Sequence, residues 1–271
     1  MLFAAVLWSA VAACDTSTSA IGNTSPAGDV GLATSDSGSP PTPCAGAALC
    51  EDFESTAVGA VPGGAWSVMT PSCSGTGRVA VTADQAHSGS HSLAVLGGSF
   101  YCDHVFLGAA LPAGIGTTIH VRFHVRLAAA LGDNHTTFLA MRDSSHQKDL
   151  RMGGQSKILM WNRELDDATL PVLSPVGIGL SVVPPVNQWI CVEAALDTAA
   201  GTLTTRVNGS IVTGLVADAT PTPDVDTQWL NGAPWRPTLV DLRIGWESYA
   251  GQALTLWFDD VAVAATALAC P

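Results

Sequence analysis

Residues 117–127 read T-T-I-H-V-R-F-H-V-R-L. From Ile119 onward, apolar and polar side chains alternate without a break. In an extended strand successive side chains point to opposite faces. Val121, Phe123 and Val125 therefore share one face, and His120, Arg122, His124 and Arg126 share the other. One face is built for a core. The polar face is either ligand-facing or solvated, and for an antiparallel sheet the solvated face is the default.

Strand character extends along most of the chain. Residues 79–82, 92–96, 136–141, 157–162, 189–196, 203–207, 239–246 and 254–262 also read as strands. Gly-Gly, Ser-Gly, Pro-Pro, Asn-Gly and Pro-Thr-Pro separate them as turns. No long stretch carries a helical period and no internal repeat is evident. Many short strands joined by turns predict an all-β sandwich or jelly roll. A β-rich chain of 271 residues is expected to hold a single such domain.

Charge is sparse and acidic, with a net charge of -12. Only 11 Lys and Arg are present and no basic run exists, which excludes a nucleic-acid partner. The densest polar stretch is R-M-G-G-Q-S-K-I-L-M-W-N-R-E-L-D-D-A-T at 151–169. Read as one extended strand, it puts Arg151, Gly153, Gln155, Lys157, Leu159, Trp161 and Arg163 on one face. A guanidinium, an amide, an ammonium and an indole, with glycine leaving room, suit an anionic sugar.

Residues 1–14 form an apolar secretory segment ending in V-A-A-C, a lipobox pattern that makes Cys14 a lipidation site. The segment is too short to span a bilayer as a helix, so membrane contact is expected only through the lipid, on a secreted or cell-surface (bacterial envelope) lipoprotein. Residues 15–43 are a Ser/Thr/Gly/Pro linker with a coil reach of roughly 30 Å. The folded domain is expected over 44–271. Of the cysteines, Cys14 aside, six remain: Cys44, Cys50, Cys73, Cys102, Cys191 and Cys270. No C-x-x-C pair occurs, which argues against structural zinc. Cys44 and Cys50 are close enough to close a small loop; spacing alone leaves the other pairings open.

Several ordered motifs carry a family resemblance: A-H-S-G-S-H-S-L at 86–93, Y-C-D-H at 101–104, L-G-D-N-H-T-T-F at 131–138, L-R-M-G-G-Q-S at 150–156, W-N-R-E-L-D-D-A-T-L-P at 161–171, L-S-P-V-G-I at 173–178, G-W-E-S-Y at 245–249 and W-F-D-D-V at 257–261. Across most of the mature domain the chain resembles the fungal cellulose-induced proteins of the "Cip one" type and their bacterial relatives. The resemblance implies a single-domain, concanavalin-like β-jelly-roll sandwich, similar in fold to alginate and glucuronan lyases, with a structural calcium ion and a cleft. It also implies disulfides Cys73–Cys102 and Cys191–Cys270, leaving Cys44–Cys50 as an extra loop. Glu54, Ser88 and Asp259 map onto the family's calcium ligands; His91 stands where the family has asparagine and would serve through its backbone carbonyl, because imidazole suits a hard cation poorly.

The implied chemistry is β-elimination on a uronic-acid polymer of the kind met in plant-cell-wall degradation. A cation or amide must neutralise the carboxylate, a base must take the adjacent proton and an acid must protonate the leaving oxygen. Arg151 and Gln155 suit the first role, His135 the second and Tyr249 the third, with Tyr101 as the rival tyrosine. Asp167 is an orienting candidate; Lys157, Trp161, Arg163, Glu164 and Arg122 are candidate substrate contacts. Other readings stand beside this one. Arg163-Glu164 and Asp166-Asp167 also read as a structural ion-pair network, and Trp161 and Trp246 as core. His120 and His124 offer a weak copper or zinc pair. A glycoside hydrolase would use two carboxylates from Glu164, Asp167 and Glu247, and a non-catalytic monomeric lipoprotein would use the same groups only to hold sugar.

Overall fold

The computed structural model describes residues 43–232, 234–249 and 251–270. The expected secretory segment, Cys14 and all but the end of the linker lie outside them.

Among the described residues, fifteen strands carry the fold: β1 (Leu49–Glu51), β2 (Trp66–Met69), β3 (Arg78–Thr82), β4 (Ser92–Gly97), β5 (Val105–Ala110), β6 (Thr118–Leu127), β7 (Thr136–Asp143), β8 (Lys148–Gln155), β9 (Ile158–Arg163), β10 (Ala168–Leu170), β11 (Trp189–Asp197), β12 (Thr202–Val207), β13 (Ser210–Ala217), β14 (Asp241–Ser248) and β15 (Leu254–Ala264). Two short helices, α1 (Pro175–Gly179) and α2 (Thr227–Leu230), sit in connections. The first sheet, A, runs β13-β12-β11-β6-β15-β4-β3, with β1 on β15; the second, B, runs β10-β9-β8-β7-β14-β5-β2. All ladder pairings are antiparallel. The result is the all-β jelly-roll sandwich that the alternation predicts.

The core lies between the sheets. Phe123, Phe138 and Phe258 pack within about 6 Å of one another, joining β6, β7 and β15. Val121, Phe123 and Val125 are buried as the period requires. Each such side chain contributes roughly 1.5–3 kcal/mol. All three disulfides form: Cys44–Cys50, Cys73–Cys102 and Cys191–Cys270.

Two expectations need correction. The stretch 151–163 is not one strand but a hairpin, β8 and β9, joined at Ser156 and Lys157. Both turn residues take positive φ, 52° and 67°, the requirement of a two-residue hairpin turn. The loop before β7 holds them there, because the Ser156 amide donates to the Asp133 carbonyl (3.0 Å) and the Lys157 amide to the Gly132 carbonyl (2.9 Å). Register then separates the expected face. Arg151 pairs with Asn162, whereas Trp161 pairs with Met152 and Arg163 with Leu150, so Arg151 and Trp161 face opposite ways. Gly153 leaves no room for a ligand either: a Cβ there would meet the Thr136 carbonyl oxygen at 1.9 Å.

The second correction concerns the polar face of β6. It is not solvated, because the two ends of the domain cover it. Arg122 donates to the carbonyl of Ala269 (3.2 Å) and to that of Pro43. It clamps both ends of the domain on sheet A and is no substrate contact of sheet B.

Candidate functional site

Arg151, on the face of β8 away from the core, is the centre of a polar cluster on sheet B. Its side chain is 9% exposed, so its guanidinium is held by protein groups. Nη2 lies 3.1 Å from Glu164 and Nε 3.9 Å from Glu247 on β14. The guanidinium carbon sits 5.4 Å from the ring centre of Tyr249, within cation–π range. Tyr249 stacks on His135, centroids 5.3 Å apart and planes 12° apart, and also meets Tyr101 at 5.3 Å. Tyr101 in turn meets His104 edge-on at 4.9 Å, and His104 Nδ1 lies 3.5 Å from Glu247. Arg151, His135 and Tyr249 thus lie together on this sheet.

The electrostatics suit proton transfer. Burial, reinforced by the Arg151 charge and opposed by Asp167, lowers His135 to about 4, so the imidazole is neutral at ordinary pH. Burial, and then the Glu247 charge, push the Tyr249 hydroxyl far up, keeping it protonated. Burial also raises Glu247 against the opposing pull of Arg151.

Other candidates fall elsewhere. Gln155 ends β8 four residues from Arg151, roughly 13 Å along the strand, too far for both to close on one carboxylate. Lys157 lies on the exposed hairpin turn, 3.6 Å from Asp133. Asp167 occupies the exposed turn after β9 and acts on His135 through its charge. Arg163 is structural: Nε and Nη2 donate to Asp166 at 2.7 and 2.6 Å, Nη1 donates to the Trp229 carbonyl at 3.0 Å, and the guanidinium lies over the Trp229 ring. Trp161 is core, its indole N–H donating to Thr205 of the facing sheet at 2.8 Å. Trp246 is core too, donating to the Gly98 carbonyl.

Sequence reasoning passed over three members. Asn162 is the cross-strand partner of Arg151, and its Oδ1 is buried without a hydrogen-bond partner. His104 is 1% exposed, with neither ring nitrogen hydrogen-bonded. Glu247, weighed only for hydrolysis, lies 3.9 Å from Arg151 and 3.5 Å from His104 and so links the two. The G-W-E-S-Y motif holds a readable signal, since Glu247 near the end of β14 and Tyr249 just beyond it are two apart, the spacing that puts side chains on one face of an extended chain.

The proposed calcium ligands lie where the first and last strands meet the loop before β4. Glu54 accepts from the Ser90 amide and hydroxyl (both 2.9 Å) and the His91 amide (2.7 Å). Asp259 accepts from the amides of His87 (2.8 Å), Ser88 (3.2 Å) and Asp260 (2.8 Å). The Ser88 hydroxyl goes to Asp260 instead, at 2.7 Å. Burial and the neighbouring Asp260 charge raise Asp259 to about 7. Hard oxygens with surplus negative charge fit calcium. A carboxylate has about four lone-pair sites, so each of these keeps about one for an ion.

A jelly roll whose outer sheet carries this arginine, tyrosine and histidine cluster belongs among the carbohydrate-active, polysaccharide-lyase-like proteins. The family described as "Polysacc_lyase-like: Cip1-like, core domain" matches residues 52–266, and the chain belongs to that family. A solved structure described as "Cellulose induced protein, Cip1" is 39% identical, with a TM-score of 0.75, covering 82% of this chain and 100% of its own. A sialidase, 14% identical with a TM-score of 0.47, covers 83% of this chain but 19% of its own; it carries no argument about function. No curated protein matches the chain.

Proposed function

We propose that the outer face of sheet B binds a uronic-acid polysaccharide and cleaves it by β-elimination. The observation that carries this reading is the buried Arg151 guanidinium beside Tyr249, with a neutral His135 stacked on that tyrosine. Arg151, with the Asn162 amide beside it, neutralises the sugar carboxylate and acidifies the adjacent C–H. His135 takes that proton. The electron pair becomes the new C=C bond as the bond to the glycosidic oxygen breaks, and Tyr249 protonates that oxygen. Glu247 orients Tyr249 and Arg151.

The test is incubation with glucuronan or alginate while following ultraviolet absorbance of the unsaturated product. Measurable binding without that absorbance rejects the lyase and leaves a binding protein. Reducing ends without absorbance indicate hydrolysis, for which Glu164 and Glu247 flank a gap that Arg151 itself fills. The pH dependence is specific. kcat/KM reports free-enzyme groups, so with His135 at about 4 it stays level from neutral pH down to about 5 and falls as His135 protonates. A fall centred near 6.5 excludes His135 in this environment as the base.

A structural calcium ion is part of the same reading, held by Glu54, Asp259 and the backbone carbonyls of Ser88 and His91. A ligand bound only by the folded state raises its melting temperature. Adding calcium to chelated protein is expected to raise Tm by a few degrees, and Glu54→Gln to abolish that response; an unchanged Tm in the parent protein removes the ion. The three disulfides favour an oxidising compartment, consistent with a secreted or lipid-anchored monomer acting in plant-cell-wall degradation.

A further inference from the structure

On the other sheet, β6 and β15 bring together groups that neither the lyase reading nor the calcium set uses. His87 Nδ1 lies 2.8 Å from Asp260 Oδ2, and His124 Nδ1 lies 3.3 Å from the same oxygen. The two imidazoles are stacked, centroids 3.4 Å apart. His124 and Asp260 are 3% and 1% exposed. His124 Nδ1 is a buried nitrogen beside the Asp260 carboxylate, 3.3 Å away but not aligned as a hydrogen bond.

We propose that His87, His124 and Asp260 bind an imidazole-preferring divalent d-block ion of the zinc class. One ligand atom from each residue lies within 4.8 Å of the others. Zn–N and Zn–O bonds of about 2.0–2.2 Å put tetrahedral ligand atoms roughly 3.3 Å apart, close to the observed contacts. Asp260 is braced as ligating carboxylates are, its other oxygen accepting from the Ser88 hydroxyl at 2.7 Å. The stacked rings must open for both lone pairs to converge. His87 is the one able to turn, since it lies on the loop between β3 and β4 with a side chain 29% exposed. Three protein ligands leave a fourth position, and a cavity of about 250 Å³ lined by His87, His124, Trp189, Asn208 and Gly209 adjoins it. Cys191, the cross-strand partner of His124, is engaged by Cys270 and is no ligand. Two imidazoles select against calcium, so the adjacent aspartates divide: Asp259 faces loop amides and Asp260 faces the histidines.

The experiment uses the full chain without a polyhistidine tag, stripped with a chelator and titrated with Zn2+ by calorimetry and with Co2+ by visible absorption. One equivalent is expected, with Co2+ giving the d–d bands of a nitrogen and oxygen site. His87→Ala, at a partly exposed loop position, is expected to weaken Zn2+ by at least about tenfold, and Asp260→Asn likewise. His146→Ala, on the turn between β7 and β8 of the other sheet, is expected to leave Zn2+ affinity within about twofold. Absence of saturable Zn2+ and Co2+ binding overturns the site, as does unchanged affinity in folded His87→Ala. None of these readouts depends on lyase activity.

Discussion

Arg151→Ala is expected to lower affinity for an acidic oligosaccharide by at least about a hundredfold and to reduce turnover below detection. A charge-assisted contact to a carboxylate contributes about 1.5–3 kcal/mol, and a two-toothed guanidinium contact more. The variant has a second effect, because Arg151 partners Glu164 and Glu247. Without the guanidinium, the Glu247 pKa, already raised by burial, moves further up, and the cost in stability is expected at about 1–3 kcal/mol. The double variant Arg151→Ala/Glu247→Gln separates the two roles. Its stability should recover toward that of the parent while binding stays lost. Calorimetric titration and urea unfolding together make the measurement. Affinity that survives Arg151→Ala sinks the proposed site, whereas affinity that returns in the double variant shows that the arginine only supported the fold. Arg151→Lys, which keeps the charge but not the planar fork, should fall between parent and alanine.

The fold was legible because alternation is a strong signal wherever one face is buried. The β6 segment and the closing run over β15 carry it clearly, and their apolar members are core. β1, β2, β5, β10 and β13 were not legible, and β8 only as the head of one longer strand. β8 has charged and glycine residues where a strand usually shows β-branched ones, and β10 is three residues long. The turn between β8 and β9 was invisible for a different reason. Ser-Lys lacks the Asn-Gly or Gly-Gly chemistry of such turns; amide contacts to residues 132 and 133, distant in sequence, hold its positive φ angles. The site was half legible. The resemblance supplied Arg151, His135 and Tyr249, but Asn162 and His104 join them only through sheet register, which no local pattern encodes. The cover over Arg122 likewise depends on where the chain ends fold back.

Trp161 is where the hairpin register makes its largest thermodynamic demand. As part of a single strand it shares a face with Arg151 and serves as a platform for sugar. In the hairpin it pairs with Met152, is fully buried and donates to Thr205 on the facing sheet at 2.8 Å. Trp161→Ala is therefore expected to cost about 3–5 kcal/mol, a large share of the roughly 5–15 kcal/mol that holds a domain folded. Part of that cost is the Thr205 hydroxyl, itself fully buried, left without its donor. Trp161→Phe keeps most of the volume but not the indole N–H, so a loss of about 1–2 kcal/mol is expected. Urea unfolding measures both. In the folded fraction of either variant, oligosaccharide affinity at Arg151 should stay within about twofold of the parent, since the two side chains lie on opposite faces of the sheet. If Trp161→Ala instead leaves stability within about 1 kcal/mol of the parent and weakens sugar binding, the indole faces the ligand and the β8–β9 register must slip by one residue, which would put Trp161 on the face of Arg151 and turn Asn162 toward the core.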